Sequence, residues 1–125
     1  MKGIIREWTD KADGDFNSAL REYRARNFPN YDAAGFHAQQ CIEKYMKAFL
    51  QMHEIQFRKI HDLSALMELC LPVFPELELE KELFAYLNQF TINYRYPGEF
   101  ATKEQVKTAV KSMKRLRDIF RTLIK

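Results

Sequence analysis

The sequence lacks the features that mark membrane and secreted proteins. Its 125 residues contain no run of 18 or more apolar residues, so a membrane span is not predicted. The first residues have no long apolar core and no cleavage-like site, which argues against a secretory signal. The four glycines are all isolated, so neither a P-loop nor a dinucleotide fingerprint is present. We therefore expect a cytoplasmic protein with one globular domain, residues 1–125.

Metal ligands and hydrolase motifs are also scarce. Cys41 and Cys70 lie among apolar residues, and we expect both to be reduced core thiols. The three histidines do not complete a four-ligand zinc spacing with them. A His-Glu-x-x-His pair, a Glu-x-x-His pair and a Gly-x-Ser-x-Gly elbow are missing as well. We expect no metal, no cofactor and no ordinary hydrolase chemistry.

What the sequence does contain is helical periodicity. Apolar residues recur every three or four positions in five segments: about Ile4 to Arg26, Tyr31 to Met52, Asp62 to Leu71, Glu76 to Asn93, and Thr102 to Ile124. Asp62 is a plausible cap of the third helix, and Thr102 with Gln105 forms a capping box on the last. Leu79 is expected to face inward on the fourth. No segment alternates with period two, so we predict an all-α, up-and-down antiparallel bundle of four to five helices.

The second helix is apolar on nearly every side. Opposite its main apolar face, Gln40, Glu43 and Lys47 form a polar stripe that is flanked by Phe36 and Leu50. Such polar groups need partners in a cleft or against another chain, because unpaired buried polar groups are costly. The alternative is a solvated Glu43–Lys47 pair at i, i+4.

Two residues at predicted helix ends are candidates for binding. His61 precedes a helix start and can exchange a proton near neutral pH, and the alternative is a structural histidine at a turn. Arg95 lies between Tyr94 and Tyr96, where the fourth helix ends. An arginine there suits a phosphate or carboxylate, and the alternative is that it neutralises the carbonyls of that helix end.

The last helix is strongly basic. Lys103, Lys107, Lys111 and Lys114 follow one face at steps of three and four residues, and we call them the basic stripe. Such a row suits a phosphate backbone or an acidic partner. The alternative is an ordinary solvated face.

Several fragments, taken in order, resemble the HEPN domain family. They are Gln39-Gln40-x-x-Glu43-Lys44-x-x-Lys47-Ala48, then Lys59-Ile60-His61-Asp62-Leu63, then Tyr94-Arg95-Tyr96-Pro97, with Trp8, Ala12, Asp15 and Ala19 upstream. The likeness is to stand-alone bacterial and archaeal members and covers essentially the whole chain. It implies a helical bundle that acts beside a minimal nucleotidyltransferase, as in toxin–antitoxin pairs.

The resemblance also bears on activity. Many HEPN domains are metal-independent ribonucleases that use an arginine and, a few residues later, a histidine at a dimer cleft. Arg95 matches the arginine, but residues 99–102 (Glu, Phe, Ala, Thr) fill the window for the histidine. Without that imidazole there is no obvious general base for a 2′-hydroxyl. We predict a non-catalytic module that binds nucleotide or RNA. The alternatives are a divergent ribonuclease toxin, with Tyr96 or His61 as a substitute, and a dimeric structural adaptor.

We further predict a homodimer in which two copies of Arg95 face a shared cleft. Within one copy, Glu43 is expected to hold Arg95 or Lys47. The candidate nucleotide- or anion-binding residues are Arg95, Tyr96, His61, Lys47, Glu43 and Gln40. No catalytic residue and no metal ligand is assigned.

Overall fold

The structure, a computed structural model, describes residues 3–94 and 96–125. These ranges contain five α-helices: α1 (Gly3–Arg24), α2 (Tyr31–Met52), α3 (Leu63–Cys70), α4 (Lys81–Ile92) and α5 (Lys103–Leu123). A 3₁₀ helix, Pro75–Glu80, precedes α4. No strand occurs in the described ranges, and the predicted all-α class is confirmed.

Side-chain contacts give the direction of the long helices. Trp8, early in α1, lies beside Lys47, late in α2, so these two helices are antiparallel. Phe120, late in α5, contacts Phe49, late in α2, while the backbone just before α5 donates to Asp32, early in α2. Helices α2 and α5 therefore run in the same direction.

Helices α2 and α4 approach each other closely at Gly35. A Cβ at this position would lie 2.2 Å from Cδ1 of the buried Phe90, closer than van der Waals contact allows. The contact joins the beginning of α2 to the end of α4, so these helices are antiparallel. The order α1 up, α2 down, α4 up and α5 down is the up-and-down bundle that the sequence predicts.

Helix α2 is the centre of the core. It contacts each of the other α-helices, and between Cys41 and Leu50 every residue except Lys44 is buried. Large apolar side chains surround it, and burying each one fully contributes about 1.5–3 kcal/mol. Cys41 and Cys70 are buried free thiols, as predicted.

Local side-chain caps determine where three helices begin. Asn30 Oδ1 accepts from the backbone N–H of Ala33 at the start of α2. Asp62 Oδ1 accepts from Ser64 N–H at the start of α3. Thr102 and Gln105 form the predicted capping box on α5. Each such cap contributes about 1 kcal/mol, and those of α3 and α5 were predicted from sequence.

The predicted beginning of the fourth helix is wrong. Residues 75–80 form a 3₁₀ helix with Pro75 at its first position, and α4 begins only at Lys81. With about three residues per turn, Leu77 and Glu80 share one face. Leu77 is buried, whereas Leu79 is 82% exposed, so its predicted inward orientation is also wrong. Helix α1 ends at Arg24, slightly before the expected Arg26.

Two further observations concern the described ranges alone. No helix in them combines the length and apolar character needed to cross a membrane. No group of three histidine, cysteine or acidic side chains in them is arranged to hold a metal ion.

Candidate functional site

Glu43 lies at the centre of a buried polar cluster on α2. Its side chain is 4% exposed, and its Oε2 lies 3.0 Å from Nζ of Lys47, which is also buried. Spacing of i, i+4 places the two side chains one above the other on the same face of the helix. The solvated pair considered from the sequence is therefore wrong, because both charges are removed from water.

His61 reaches this cluster from the segment before α3. Its Nδ1 lies 3.0 Å from Oε2 and 3.2 Å from Oε1 of Glu43. The Asp62 cap fixes the start of α3 and so positions the preceding histidine. The imidazole is 69% exposed, so it spans from the buried carboxylate to the surface. A proton on Nδ1 is donated to Glu43, which leaves Nε2 for exchange or binding at the surface.

Two glutamine amides complete the hydrogen bonding around Glu43. Gln39 Nε2 donates to the backbone carbonyl of His61 at 2.8 Å and to Glu43 Oε1 at 3.3 Å. Gln40 Nε2 donates to Gln39 Oε1 at 2.8 Å and to Glu43 Oε1 at 3.3 Å. Gln39 is fully buried and was not among the predicted site residues. Gln39, Glu43 and Lys47 are spaced four residues apart and so lie on one face of α2. This spacing would have predicted that Gln39 belongs to the site.

Aromatic rings form the other side of the cluster. Lys47 Nζ lies 5.7 Å from the ring centroid of Trp8 and 5.9 Å from that of Phe57. A desolvated cation over an aromatic face is stabilised by about 2 kcal/mol. Trp8 Nε1 is buried without a hydrogen-bond partner in the described chain. The role of Phe57 was not predicted, because it comes from the irregular connection between α2 and α3.

The structure brings together four of the residues that were predicted to meet: Gln40, Glu43, Lys47 and His61. Arg95 lies outside the described residues, and its contact with Glu43 stays a prediction. Tyr96 is exposed in the connection between α4 and α5. The Glu43 cluster, defined by these four residues with Gln39, is the candidate site.

The basic stripe lies on the surface of α5. Lys103, Lys107, Lys111 and Lys114 are all exposed, and none forms an ion pair with residues 3–94 or 96–125. Neighbouring arginines differ in this respect, since Arg115 pairs with Glu80 and Arg117 pairs with Asp13. The stripe is therefore a row of cations that no described carboxylate neutralises.

Comparison with known proteins decides the family. The model of the HEPN domain matches residues 5–123. The chain belongs to the HEPN domain family. It is also similar to the crystal structure of an archaeal HEPN homologue, with a TM-score of 0.78, 22% sequence identity and 100% coverage of both chains. At that identity the likeness shows the fold. No curated protein sequence matches the chain.

In this HEPN domain, Asp15 joins α1 to α2. Its Oδ1 lies 2.8 Å from Nδ1 of His37, and its Oδ2 lies 2.5 Å from Nζ of Lys44. Asp15 and Lys44 both belong to the fragments that carried the resemblance. The structure shows that they form a cross-link between helices, largely withdrawn from solvent.

A second cross-link in the HEPN domain joins three helices. Asp13 on α1 accepts from the hydroxyl of Tyr45 on α2 and lies 3.1 Å from Nη2 of Arg117 on α5. The guanidinium also lies over the ring of Phe16, at 4.0 Å from its centroid. Burial, together with the hydrogen bond to Asp13, raises the pKa of the Tyr45 phenol well above its usual range. The group is thus held neutral, and it serves the packing of the bundle.

Proposed function

We propose that this HEPN domain binds nucleotide or RNA through phosphate groups, without cleaving it, as a module that acts with a nucleotidyltransferase partner. The observation that carries the proposal is the basic stripe. Its members are exposed and unpaired with any described carboxylate, although the net charge of the whole chain is only +3. At a rise of 1.5 Å per residue, Lys103 and Lys114 are roughly 16 Å apart along α5, enough to follow several phosphates.

The Glu43 cluster adds a second anion-binding group. The imidazole of His61 is exposed, and Glu43 holds its Nδ1, so the protonated ring would present Nε2–H to an anion. Lys47 is buried and pairs with Glu43, so we do not propose it as a direct ligand of the nucleotide. Arg95, between Tyr94 and Tyr96, is proposed as a further phosphate ligand because a guanidinium forks onto phosphate oxygens.

The test measures binding of labelled single-stranded RNA by fluorescence anisotropy over a range of salt concentrations. Phosphate contacts release counterions, so affinity should fall steeply with added salt. Arg95→Ala should remove most binding, whereas Lys111→Ala should weaken it slightly and reduce the log–log salt slope by about 0.7. Lys81→Ala, at an exposed lysine on α4, is the matched control and should leave binding unchanged. Absence of any binding at low salt would refute the proposal.

A second candidate function, ribonuclease activity, is favoured by one specific observation. The Glu43–His61 pair places a carboxylate-held imidazole at the surface, which is the kind of group that the residues after Arg95 lack. Such a pair can act as a general base. Cleavage of labelled RNA in the presence of chelator, lost in His61→Gln and Arg95→Ala, would establish it and refute the non-catalytic function. His53→Gln, at another exposed histidine, is the control and should retain any turnover.

We further propose that the domain forms a homodimer. Phe36 on α2 and Ile92 at the end of α4 are exposed large apolar side chains. Phe36 lines a cleft of about 320 Å³ together with the last residues of α4 and Tyr94. We propose that this face pairs with itself about a two-fold axis, and we expect two copies of Arg95 to face the shared cleft. Light scattering at tens of micromolar should give twice the mass of the chain, and Phe36→Lys should give the monomer. A monomeric wild-type chain would contradict the proposal.

A further inference from the structure

Two exposed phenylalanines line one open cleft. Phe28, in the connection between α1 and α2, is 97% exposed, and Phe100, just before α5, is 74% exposed. The cleft has a volume of about 520 Å³, within the range of small-molecule sites, and Pro29 and Tyr31 also line it. Neither phenylalanine ring stacks on another ring in residues 3–94 or 96–125. Both rings are thus largely exposed and available for stacking with a ligand.

The backbone holds Phe28 outward at a cost. Its φ is +52°, in the left-handed region. A residue with a Cβ adopts this conformation at a cost of about 1–2 kcal/mol. Two residues later, Asn30 accepts from Ala33 N–H as the cap of α2, so Phe28 lies directly before the start of that helix. Strained residues cluster at binding sites, although Glu54 and Tyr94 share the positive φ, so the strain supports a binding role for Phe28 only together with the cleft and the cations beside it.

Cations lie directly beside the aromatic cleft. A second cleft, of about 490 Å³, is lined by Arg24, Arg26 and Lys103, and it shares Pro29 and Tyr31 with the first. Lys103 is also the first member of the basic stripe. The aromatic cleft is therefore continuous with the row of cations along α5.

Two carboxylates near these clefts accept hydrogen bonds from the backbone. Asp32 lines the aromatic cleft, and its Oδ1 accepts from Ala101 N–H at 2.6 Å. Glu22 Oε1 accepts from Asn30 N–H at 3.3 Å. Neither forms a salt bridge with the cations of the second cleft. These hydrogen bonds leave both carboxylates charged, but the three cations of the second cleft outnumber them.

We propose that this aromatic cleft binds a base of single-stranded nucleic acid. The base stacks on Phe28 and Phe100, while the adjoining phosphates contact Arg24, Arg26 and Lys103. Aromatic platforms beside a cationic groove are how proteins hold single strands without sequence preference, whereas a duplex keeps its bases inside the stack. This inference rests on the proposed phosphate binding and adds to it the class of ligand, an unpaired strand.

The test uses two labelled probes of about 12 nucleotides, a single-stranded oligouridylate and an abasic sugar-phosphate strand of equal length. Phe28→Ala and Phe100→Ala should each weaken binding of the oligouridylate by roughly 5- to 150-fold and leave the abasic strand unaffected. Lys103→Ala should weaken binding of both probes. Leu79→Ala removes an apolar side chain elsewhere whose exposure, 82%, lies between those of the two phenylalanines, and it is the matched control. Because Phe28 and Phe100 are exposed, these variants should keep the helical circular dichroism of the wild type.

The outcomes separate the two proposals. If the phenylalanine variants bind oligouridylate as Leu79→Ala does, while Lys103→Ala loses affinity, the stacking cleft is refuted and the phosphate-binding function stands. If the wild type binds neither probe at low salt, both are refuted. If Phe28→Ala leaves RNA affinity unchanged but converts a dimer into a monomer, the cleft is a contact between two copies of the chain, and the nucleic-acid assignment is overturned.

Discussion

Nδ1 of His61 lies 3.0 Å from Oε2 of Glu43, although 18 positions separate them in the sequence. The carboxylate is buried and the imidazole is exposed, so this contact links the interior of α2 to the surface. A buried carboxylate is tolerated only when it is paired and hydrogen-bonded. Glu43 meets that condition through Lys47, His61 and two glutamine amides, and a change at Glu43 should therefore affect both stability and the candidate site.

Removing one charge of the buried pair should be strongly destabilising. Glu43→Gln leaves the ammonium of Lys47 buried without a counter-charge, and the free energy of unfolding should fall by about 3–5 kcal/mol. Lys47→Met should cost less, because Glu43 keeps His61 and two glutamine amides as partners. In the double variant neither charge remains, and its loss should be clearly smaller than the sum of the two single losses. Urea denaturation of the four proteins measures this coupling.

The exposed pair formed by Glu78 and Lys81 is the control for that cycle. Its charged atoms are 3.8 Å apart and both side chains are more than half exposed. Exposed pairs contribute at most about 1 kcal/mol, so Lys81→Met should change stability little. Additive losses at Glu43 and Lys47 would contradict the buried pairing.

Two glycines in helices should respond to alanine in opposite directions. At Gly35 an added Cβ would meet the ring of Phe90 at 2.2–2.8 Å, so Gly35→Ala should destabilise the domain by about 1–3 kcal/mol. At Gly14, on α1, nothing lies within 4 Å of the added Cβ, and Gly14→Ala should stabilise by roughly 0.5–1 kcal/mol. Thermal unfolding of the two variants tests this.

Phe90→Leu tests the origin of the Gly35 effect. The smaller side chain should recover part of the stability lost in Gly35→Ala, because the overlap with the ring is removed. Equal destabilisation by Gly35→Ala in both backgrounds would show that α2 and α4 do not meet as described.

The buried thiols predict how stability depends on pH. Burial raises the pKa of Cys70 to about 12, from an ordinary value of 9.0. Because the pKa is raised in the folded state, the thiol's full contribution to stability is present at pH values below the pKa of the unfolded thiol. That stability is lost as the pH rises from about 9 to about 12. Across that interval, ionisation of the unfolded thiol costs about 1.4 kcal/mol of stability per pH unit.

Urea unfolding of the wild type and Cys70→Ala at pH 8 and pH 10 measures the contribution of this thiol. The wild type should lose more stability than the variant between the two values. In the native state at pH 8, thiol reagents should label neither Cys70 nor Cys41, whose pKa burial also raises. Equal pH dependence of the two proteins would contradict the buried neutral thiol.

The sequence predicts the helices well where their ends depend on nearby residues. The bounds of α2 are those expected, and the caps at Asp62 and Thr102 act within three residues of the position that carries them. The start of α4 was missed because Pro75 begins a 3₁₀ helix, whose face repeats every three residues, so that α-helical spacing placed Leu79 on the wrong side.

The candidate site was predictable only in part. The i, i+4 relation of Glu43 to Lys47 is visible in the sequence, and His61 was a candidate from its position before a helix start, but neither shows that the two meet. The aromatic wall of Trp8 and Phe57 depends on contacts between distant segments, which helical periodicity does not encode. The pair of Asp13 and Arg117 is separated by 104 positions and is likewise a product of the tertiary fold.

Stability and binding should change in opposite directions at Phe28. Its φ of +52° is strained for a residue with a Cβ, and glycine adopts that conformation freely. Phe28→Gly gives up almost no buried surface, so the relief of strain should outweigh the entropy of glycine and stabilise the domain by about 0.5 kcal/mol. The same change removes a stacking ring and should weaken binding of single-stranded oligouridylate to the extent that Phe28→Ala does.

Glu54→Gly is the control, because Glu54 has a φ of +56° and is also exposed. It should gain similar stability by the same relief of strain, with at most a slight tightening of RNA binding from the lost carboxylate. Thermal unfolding and anisotropy on the same preparations measure both effects. A loss of stability in Phe28→Gly would show that the ring packs against the domain, and the open stacking surface would then be refuted. The expected result is that both variants gain stability and that only Phe28→Gly loses RNA affinity. Position 28 would then keep its aromatic ring for binding at a cost to the stability of the fold.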